Sequence, residues 1–281
     1  MWSHRFIAPT AAFLAALWIL AAAPESDSFR FVLLGDRTGE TVPGVYERVW
    51  KEVAAENPAF VLSVGDSIQG LNDATAEAQW SDLEGMLGAW KKFPLYLAAG
   101  NHDIWSQRSE QLFRQHSGHP PHYSFDYRNA HFTILDNSRS DEFSPAELTF
   151  LEQDLEQHQS SSPKFIVSHR PSWIVRAIVG DGAFPLHRIA KKYGARYVIA
   201  GHIHEMLHAE LEGLDYISMA SSGGHLRASG KYTDGWFFGY AAVDVSANDT
   251  SFDIHELGAP YGQSRTSTLN DWGPAGFRQT R

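Results

Sequence analysis

Apolar residues along this chain gather into short runs, each closed by a small residue and then a polar one. Phe31-Val32-Leu33-Leu34 runs into Gly35-Asp36, and Phe60-Val61-Leu62-Ser63-Val64 into Gly65-Asp66. Leu95-Tyr96-Leu97-Ala98-Ala99 runs into Gly100-Asn101-His102-Asp103. Phe165-Ile166-Val167 runs into Ser168-His169, and Tyr197-Val198-Ile199-Ala200 into Gly201-His202-Ile203-His204. Short runs rich in β-branched and aromatic residues, followed by turn signals, predict buried strands. Helical patterns separate several of them. Pro43 to Asn57 carries Val45, Val49 and Val53 at four-residue spacing, and Asp73 to Lys92 carries Trp80, Leu83, Leu87 and Trp90. Strands alternating with helices predict a parallel α/β sheet.

Ile104 to Pro121 reads as a short helix and a loop. The period then shortens. His122 to Tyr127 alternates, Arg128-Asn129-Ala130 turns, and His131 to Asp136 follows, which predicts a hairpin. Ser144-Pro145-Ala146-Glu147 is a capping box with proline at the first helical position, and its helix runs to about His158. A second helix is expected over Phe184 to Tyr193. After His204 come four strand-like stretches: Met206–Leu211, Asp215–Ala220, Trp236–Val245 and Ser251–His255. They suggest a second, largely antiparallel sheet packed on the first. Gly258 to Arg281 is rich in Gly, Ser, Thr and Pro, and reads as an extended or disordered tail. Residues 29–257 show no repeat and no compositional break, so one domain is expected there.

Ligands of open α/β sheets bind beyond the carboxyl ends of the strands. The five ends here carry Asp36, Asp66, Asn101, His169 and the pair His202 and His204. Oxygen and imidazole donors meeting at one rim would make a metal site, and their number suggests two ions. Taken singly, a Gly-Asp after a strand is an ordinary turn. The ordered set at five consecutive ends favours the ligand reading.

Composition narrows the chemistry. The chain has 281 residues, 43% of them hydrophobic, enough for a sizeable core. It has no cysteine, which excludes disulfides, thiolate metal sites and cysteine nucleophiles. A formal net charge of −10 argues against nucleic-acid binding, yet leaves room for a local basic pocket that takes one phosphate. At the N-terminus, His4 and Arg5 precede an apolar stretch from Phe6 to Ala23 that ends in Ala21-Ala22-Ala23. Residues 1–23 thus read as a signal peptide, or as an uncleaved membrane anchor, since Pro24 is awkward for cleavage. Arg5 before the run, with Glu25 and Asp27 after it, places the body outside the cytoplasm.

In order, Gly-Asp, Gly-Asp, Gly-Asn-His-Asp, a lone strand-end His and Gly-His-x-His resemble the calcineurin-like metallophosphoesterases. Lys191-Lys192-Tyr193-Gly194-Ala195 is similar to the purple acid phosphatase branch. The resemblance covers Phe29 to about Ile254. It implies an α/β fold in four layers, an α/β/β/α sandwich of two mixed β-sheets flanked by helices. It implies two divalent or trivalent ions drawn from Fe, Mn, Zn, Ni or Co. It also implies hydrolysis of small phosphomonoesters or phosphodiesters by metal-readied water. Carried over by position, Asp66 would bridge both ions, Asp36 and His204 would bind the first, and Asn101, His169 and His202 the second. His102 would be the general acid or phosphate-orienting group, with Asp103 behind it to hold its tautomer.

One position departs from the family pattern. A His two residues after the first Asp is usual, and here Thr38 stands in its place. The purple acid phosphatase branch supplies a Tyr three residues after the bridging Asp, where this chain has Gln69. Thr38, Gln69 or water could fill the gap. Arg37, beside Asp36, suits phosphate oxygens through its planar fork, and Arg170, beside His169, is a second candidate. The competing expectation is a non-catalytic or weakly active metal- or phosphate-binding member with an impaired first site. His225 is a further candidate for the pocket wall; His131, His208 and His255 read as ordinary polar or core histidines, and Trp173 and Trp236 as core rather than substrate rim, the alternative for both.

Overall fold

The computed structural model describes residues 28–272 apart from 91, 248 and 259–263. The expected leader at 1–23 and the last part of the expected tail lie outside these. Among the described residues, no helix is long and apolar enough to cross a membrane.

The chain runs β1 (Phe29–Leu34), α1 (Val45–Glu56), β2 (Val61–Ser63), α2 (Asp73–Leu87), β3 (Leu95–Leu97) and α3 (Gln107–Ser117). The hairpin β4 (Tyr123–Tyr127) and β5 (Ala130–Ile134) follows, then α4 (Pro145–Gln157) and β6 (Lys164–Val167). Next come α5 (Ile174–Val179), α6 (Pro185–Lys192), β7 (Tyr197–Ala200), β8 (Leu207–Leu211) and β9 (Leu214–Ser218). The last strands are β10 (Gly239–Val245), β11 (Thr250–Glu256) and β12 (Arg265–Thr268). The strands form two mixed six-stranded sheets, ordered β12-β11-β10-β1-β2-β3 and β4-β5-β6-β7-β9-β8.

Both faces of the central strands are buried, which is why their sequences are apolar without alternation. In β1, Phe31 and Leu33 enter the core between the sheets, while Val32 and Leu34 face α1, α2 and α3. In β7, Tyr197 and Ile199 enter the same middle core, while Val198 and Ala200 face α4, α5 and α6. Three apolar layers therefore separate four layers of structure, the α/β/β/α sandwich expected from the resemblance. Aromatic rings fill the middle layer. Phe31 stacks on Phe60 at 5.0 Å and Phe132 on Phe165 at 4.7 Å, with Phe31 meeting Phe132 edge-on at 5.3 Å.

Strand pairing corrects the expectation of one parallel sheet and one antiparallel sheet. β1, β2 and β3 are parallel in the first sheet; β5, β6, β7 and β9 are parallel in the second. The strands after His204 divide between them. β8 and β9 extend the second sheet beside β7, and β10 pairs antiparallel with β1. β1 and β7 each had a free edge whose N–H and C=O groups needed partners. Hydrophobic period identifies a strand but not the edge it will satisfy.

Three local details also differ. Ser144 caps α4 by accepting from Glu147 N, but the Glu147 carboxylate does not return to the cap. It accepts from Asp136 N at 3.0 Å and pairs with His122 at 2.6 Å. The stretch between β6 and α6 holds the short helix α5, where no helix was expected. Finally, the chain after residue 257 returns to the domain. β12 pairs antiparallel with β11, and Trp272 is buried against Phe237 at 5.0 Å. The backbone pairing and this one indole anchor a segment whose composition has little else apolar.

Candidate metal centre

The site lies where the carboxyl ends of both sheets meet. β1, β2 and β3 deliver Asp36, Asp66 and Asn101 from the first sheet; β6 and β7 deliver His169, His202 and His204 from the second. Bonds across the gap lock the two halves. His169 Nδ1 donates to Val64 O at 3.0 Å, and His202 N donates to Asp36 Oδ1 at 3.0 Å. Close backbone approach requires glycine at these ends: a Cβ on Gly100 would lie 2.1 Å from Asp66 Oδ1, and one on Gly201 2.3 Å from Asp36 Oδ1. Asp66, His202 and His204 themselves take left-handed backbone (φ 54°, 69° and 62°), a strain that points these side chains inward.

The second expected position is well formed. With Nδ1 committed to Val64 O, His169 presents Nε2 to Asn101 Oδ1 at 3.0 Å, His202 Nδ1 at 3.1 Å and Asp66 Oδ1 at 3.4 Å. Asp66 Oδ1 also accepts from His102 N at 2.9 Å, whereas buried Asp66 Oδ2 has no partner. A buried carboxylate with one oxygen unpartnered, grouped with two imidazoles, is the setting a cation satisfies. One amide oxygen, one carboxylate and two imidazoles fit a transition-metal ion.

Electrostatics agree. Burial pushes the Asp66 carboxyl up, but His169 and His102 outweigh it and hold it below the usual carboxylate range. Burial opposes charge on His169, yet Asp66 and Asp36 raise its imidazole to about 9. Burial and the nearby charge of His169 and Arg170 push His202 down to about 4. The site thus holds negative charge that attracts a cation, with a proton on His169 where one is lacking.

The first expected position is less complete. His204 Nε2 lies 3.2 Å from Asp36 Oδ2, and both residues are buried. Thr38 and Gln69 bond to each other: the Thr38 hydroxyl donates to Gln69 Oε1. That oxygen also accepts from Glu40 N. The two side chains at the variant positions are thus engaged with each other.

The family model for calcineurin-like phosphoesterases matches residues 29–206, the stretch that holds all six expected ligands. The chain belongs to this family. No curated protein matches the chain in sequence. Among solved structures, the chain is similar to purple acid phosphatase PPD1 from yellow lupin (Lupinus luteus), with a TM-score of 0.65 and 17% identity over 87% of the chain. It spans 54% of the lupin protein's length. It is also similar to GAP50 of Plasmodium, described as the anchor in the inner membrane complex. There the TM-score is 0.58 and the identity 17%, over 88% of this chain and 90% of that one. At such identities these likenesses speak for the fold.

The remaining expected site residues behave as follows. His102 Nδ1 donates to Gln69 O at 2.6 Å, so a backbone carbonyl rather than Asp103 sets its tautomer, and Nε2 lies 4.0 Å from Asp66 Oδ2. Asp103 is buried beneath the turn and does not touch the His102 ring. It accepts from Ser67 N at 2.8 Å, Ile68 N at 3.2 Å and Gly100 N at 3.0 Å, so it ties the β2 end to the β3 end. Burial and the Asp66 charge push its carboxyl up to about 7. Arg37 donates to Ser67 O at 2.9 Å and lies over the Tyr46 ring; Arg170 pairs with Asp141 at 2.6 Å. Each keeps a buried Nε without a partner. His225 supports the site through its carbonyl, which accepts from His204 Nδ1 at 2.7 Å.

Two residues escape the sequence reading. Asn137 Oδ1 accepts from His169 N and Arg170 N, and its amide donates to Arg170 O, which sets the turn that aims His169. Its signal was present, since Asn137 follows the apolar end of β5 much as the ligands follow theirs. Arg227 approaches His204 from a loop with no motif.

Proposed function

We propose that this chain is a metal-dependent phosphoesterase acting on small phosphomonoesters or phosphodiesters. The observation that carries the reading is the convergence of Asn101, His202 and Asp66 on His169 Nε2, with Asp66 Oδ2 buried and unpartnered. The donor set suits Fe, Mn, Zn, Ni or Co. Asp66, Asn101, His169 and His202 would hold an ion that, when bound, would supply Lewis-acid polarisation of a phosphoryl oxygen and a lowered pKa of water.

The chain's own groups supply the rest. Gln69 O fixes the His102 tautomer, so Nε2 faces the site and can carry a proton to the leaving oxygen. Arg37 and Arg170 flank two ligands and keep unpartnered guanidinium N–H groups, which suit phosphate oxygens. They give a positive locale on a chain of net charge −10. The two-ion form of the mechanism would draw Asp36, His204 and Asp66 to the first position; the hydrolytic reading does not depend on it. An extracytoplasmic location belongs to the proposal, supported by the leader-like pattern of residues 1–23.

Turnover of p-nitrophenyl phosphate and of its bis ester, with and without chelator, tests the activity. Chelator-sensitive release of nitrophenol supports it; none from metal-loaded protein on either ester overturns it. Fractionation of cells carrying the full chain tests the location, and recovery from the cytosol would overturn that part.

The Thr38–Gln69 bond favours a second reading, a metal- or phosphate-binding member without turnover. Fold likeness alone does not exclude it, because function resides in the site. Metal binding without hydrolysis would select it.

A further inference from the structure

His204 is the imidazole assigned to the first ion. Its Nδ1–H donates to His225 O at 2.7 Å, which leaves Nε2 facing Asp36 Oδ2 at 3.2 Å. Nη2 of Arg227 reaches the same Nε2 at 3.3 Å. A guanidinium thus stands at the nitrogen an ion would use. Guanidinium stays protonated at physiological pH and has no lone pair to offer a metal.

The surroundings are built to admit it. Gly39 carries a left-handed φ of 86°, and a Cβ there would lie 2.9 Å from Arg227 Nη2 and 3.0 Å from His204 Cε1. A Cβ on Gly224 would lie 2.6 Å from His204 Cε1. His225 Nδ1 bonds Gly39 O and holds the same loop in place. At 38 a threonine stands where an imidazole would compete for an ion, and its hydroxyl donates to Gln69 Oε1 and accepts from Thr41 Oγ1. Buried Asp36 and Asp66 still require compensating positive charge. Arg227 brings one positive charge to the Asp36–His204 side without a fourth ligand.

We infer that the Arg227 guanidinium takes the place of the first ion, and that the protein holds one metal ion per chain, at Asp66, Asn101, His169 and His202. This rests on the metal reading of the Asp66 position. It turns a two-ion clamp into an ion and a guanidinium, which retains a bidentate donor for a phosphate group.

The test is metal content of the full-length protein equilibrated with excess Mn(II), read by mass spectrometry and by electron paramagnetic resonance. The expected result is one ion per chain with the six-line spectrum of an isolated Mn(II). Asn101→Ala should lower that content toward none. The double variant Arg227→Ala with Thr38→His removes the guanidinium and restores an imidazole donor; it should bind two ions with a spin-coupled spectrum. Two ions per wild-type chain would overturn the inference and leave the phosphoesterase reading standing. No ion in the wild type would overturn both. A folded double variant that still binds one ion would overturn the role of Arg227. If the double variant does not fold, the first two proteins decide: one ion falling toward none supports the inference, two falling to one overturns it.

Discussion

The Thr38 hydroxyl donates to Gln69 Oε1 at 2.5 Å. Two residues at positions where relatives would place metal ligands instead bind one another and close the loop after β1 onto the loop after β2. Thr38→Val should therefore act on stability rather than on the metal. We expect a loss of about 1 kcal/mol in urea unfolding, the cost of one partly buried bond, with unchanged metal content. A fall in metal content at unchanged stability would make Thr38 a ligand.

Backbone approach at the strand ends predicts a sharp positional contrast among glycines. Gly100→Ala places a methyl group against Asp66 Oδ1, and should cost about 3 kcal/mol and weaken metal binding at least about tenfold. Gly85 in α2 has nothing within 4 Å of an added Cβ. Gly85→Ala should stabilise by about 0.5–1 kcal/mol through helix propensity and leave metal binding alone. Calorimetric melting and metal titration of both variants check the contrast; equal effects would refute it.

A buried cluster away from the site predicts a pH dependence of stability. Burial opposes charge on His131, but its bonds to Asp154 and Asp126, each 2.8 Å, outweigh it and raise its pKa. Burial pushes Asp154 up, but its bonds to His131, Ser124 and Thr133 hold it lower. The His131 contribution is full below its unfolded pKa of about 6.5 and fades as pH rises through the raised folded value. The Asp154 contribution is present above about 3.9 and fades as pH falls through the depressed folded value. The stability advantage of wild type over His131→Gln should thus shrink as pH rises beyond about 6.5. Unfolding curves from pH 6 to pH 9 would show it; a flat difference would contradict the pairing.

Trp272 tests where the domain ends. Its ring is buried against Phe237, and its Nε1 donates to Ser267 Oγ at 3.1 Å. Trp272→Ala should cost about 3–5 kcal/mol, as other buried aromatic truncations do. A melting temperature unchanged by the substitution would place 265–272 outside the cooperative unit.

Much of the candidate site was legible in the sequence because the expected ligands follow the ends of five apolar strands. Asp36, Asp66, Asn101, His169, His202 and His204 could be read from that punctuation, and the structure brings them together across both sheets. The division of strands between the sheets was not legible, since Leu207–Leu211 and Gly239–Val245 look alike in period yet pair with different edges. Asp103 looked like a partner of His102, but three backbone N–H groups claim its oxygens. Arg227 had no local signal, because loop geometry after β9 alone carries it to His204. The strand β12 was hidden by its polar Arg-Thr-Ser-Thr composition, and is held by backbone pairing and by the Ser267 hydroxyl, which donates to buried Glu256.

The most direct test of the central claim couples metal content to turnover in one substitution. Asn101→Ala removes a single uncharged donor from the Asp66 cluster and leaves Asp66, His169 and His202 in place. Metal content and hydrolysis of bis(p-nitrophenyl) phosphate and p-nitrophenyl phosphate should fall together, with turnover down at least about a hundredfold, as expected when a metal-readied nucleophile is lost. A variant that keeps wild-type turnover after losing its metal would contradict the account.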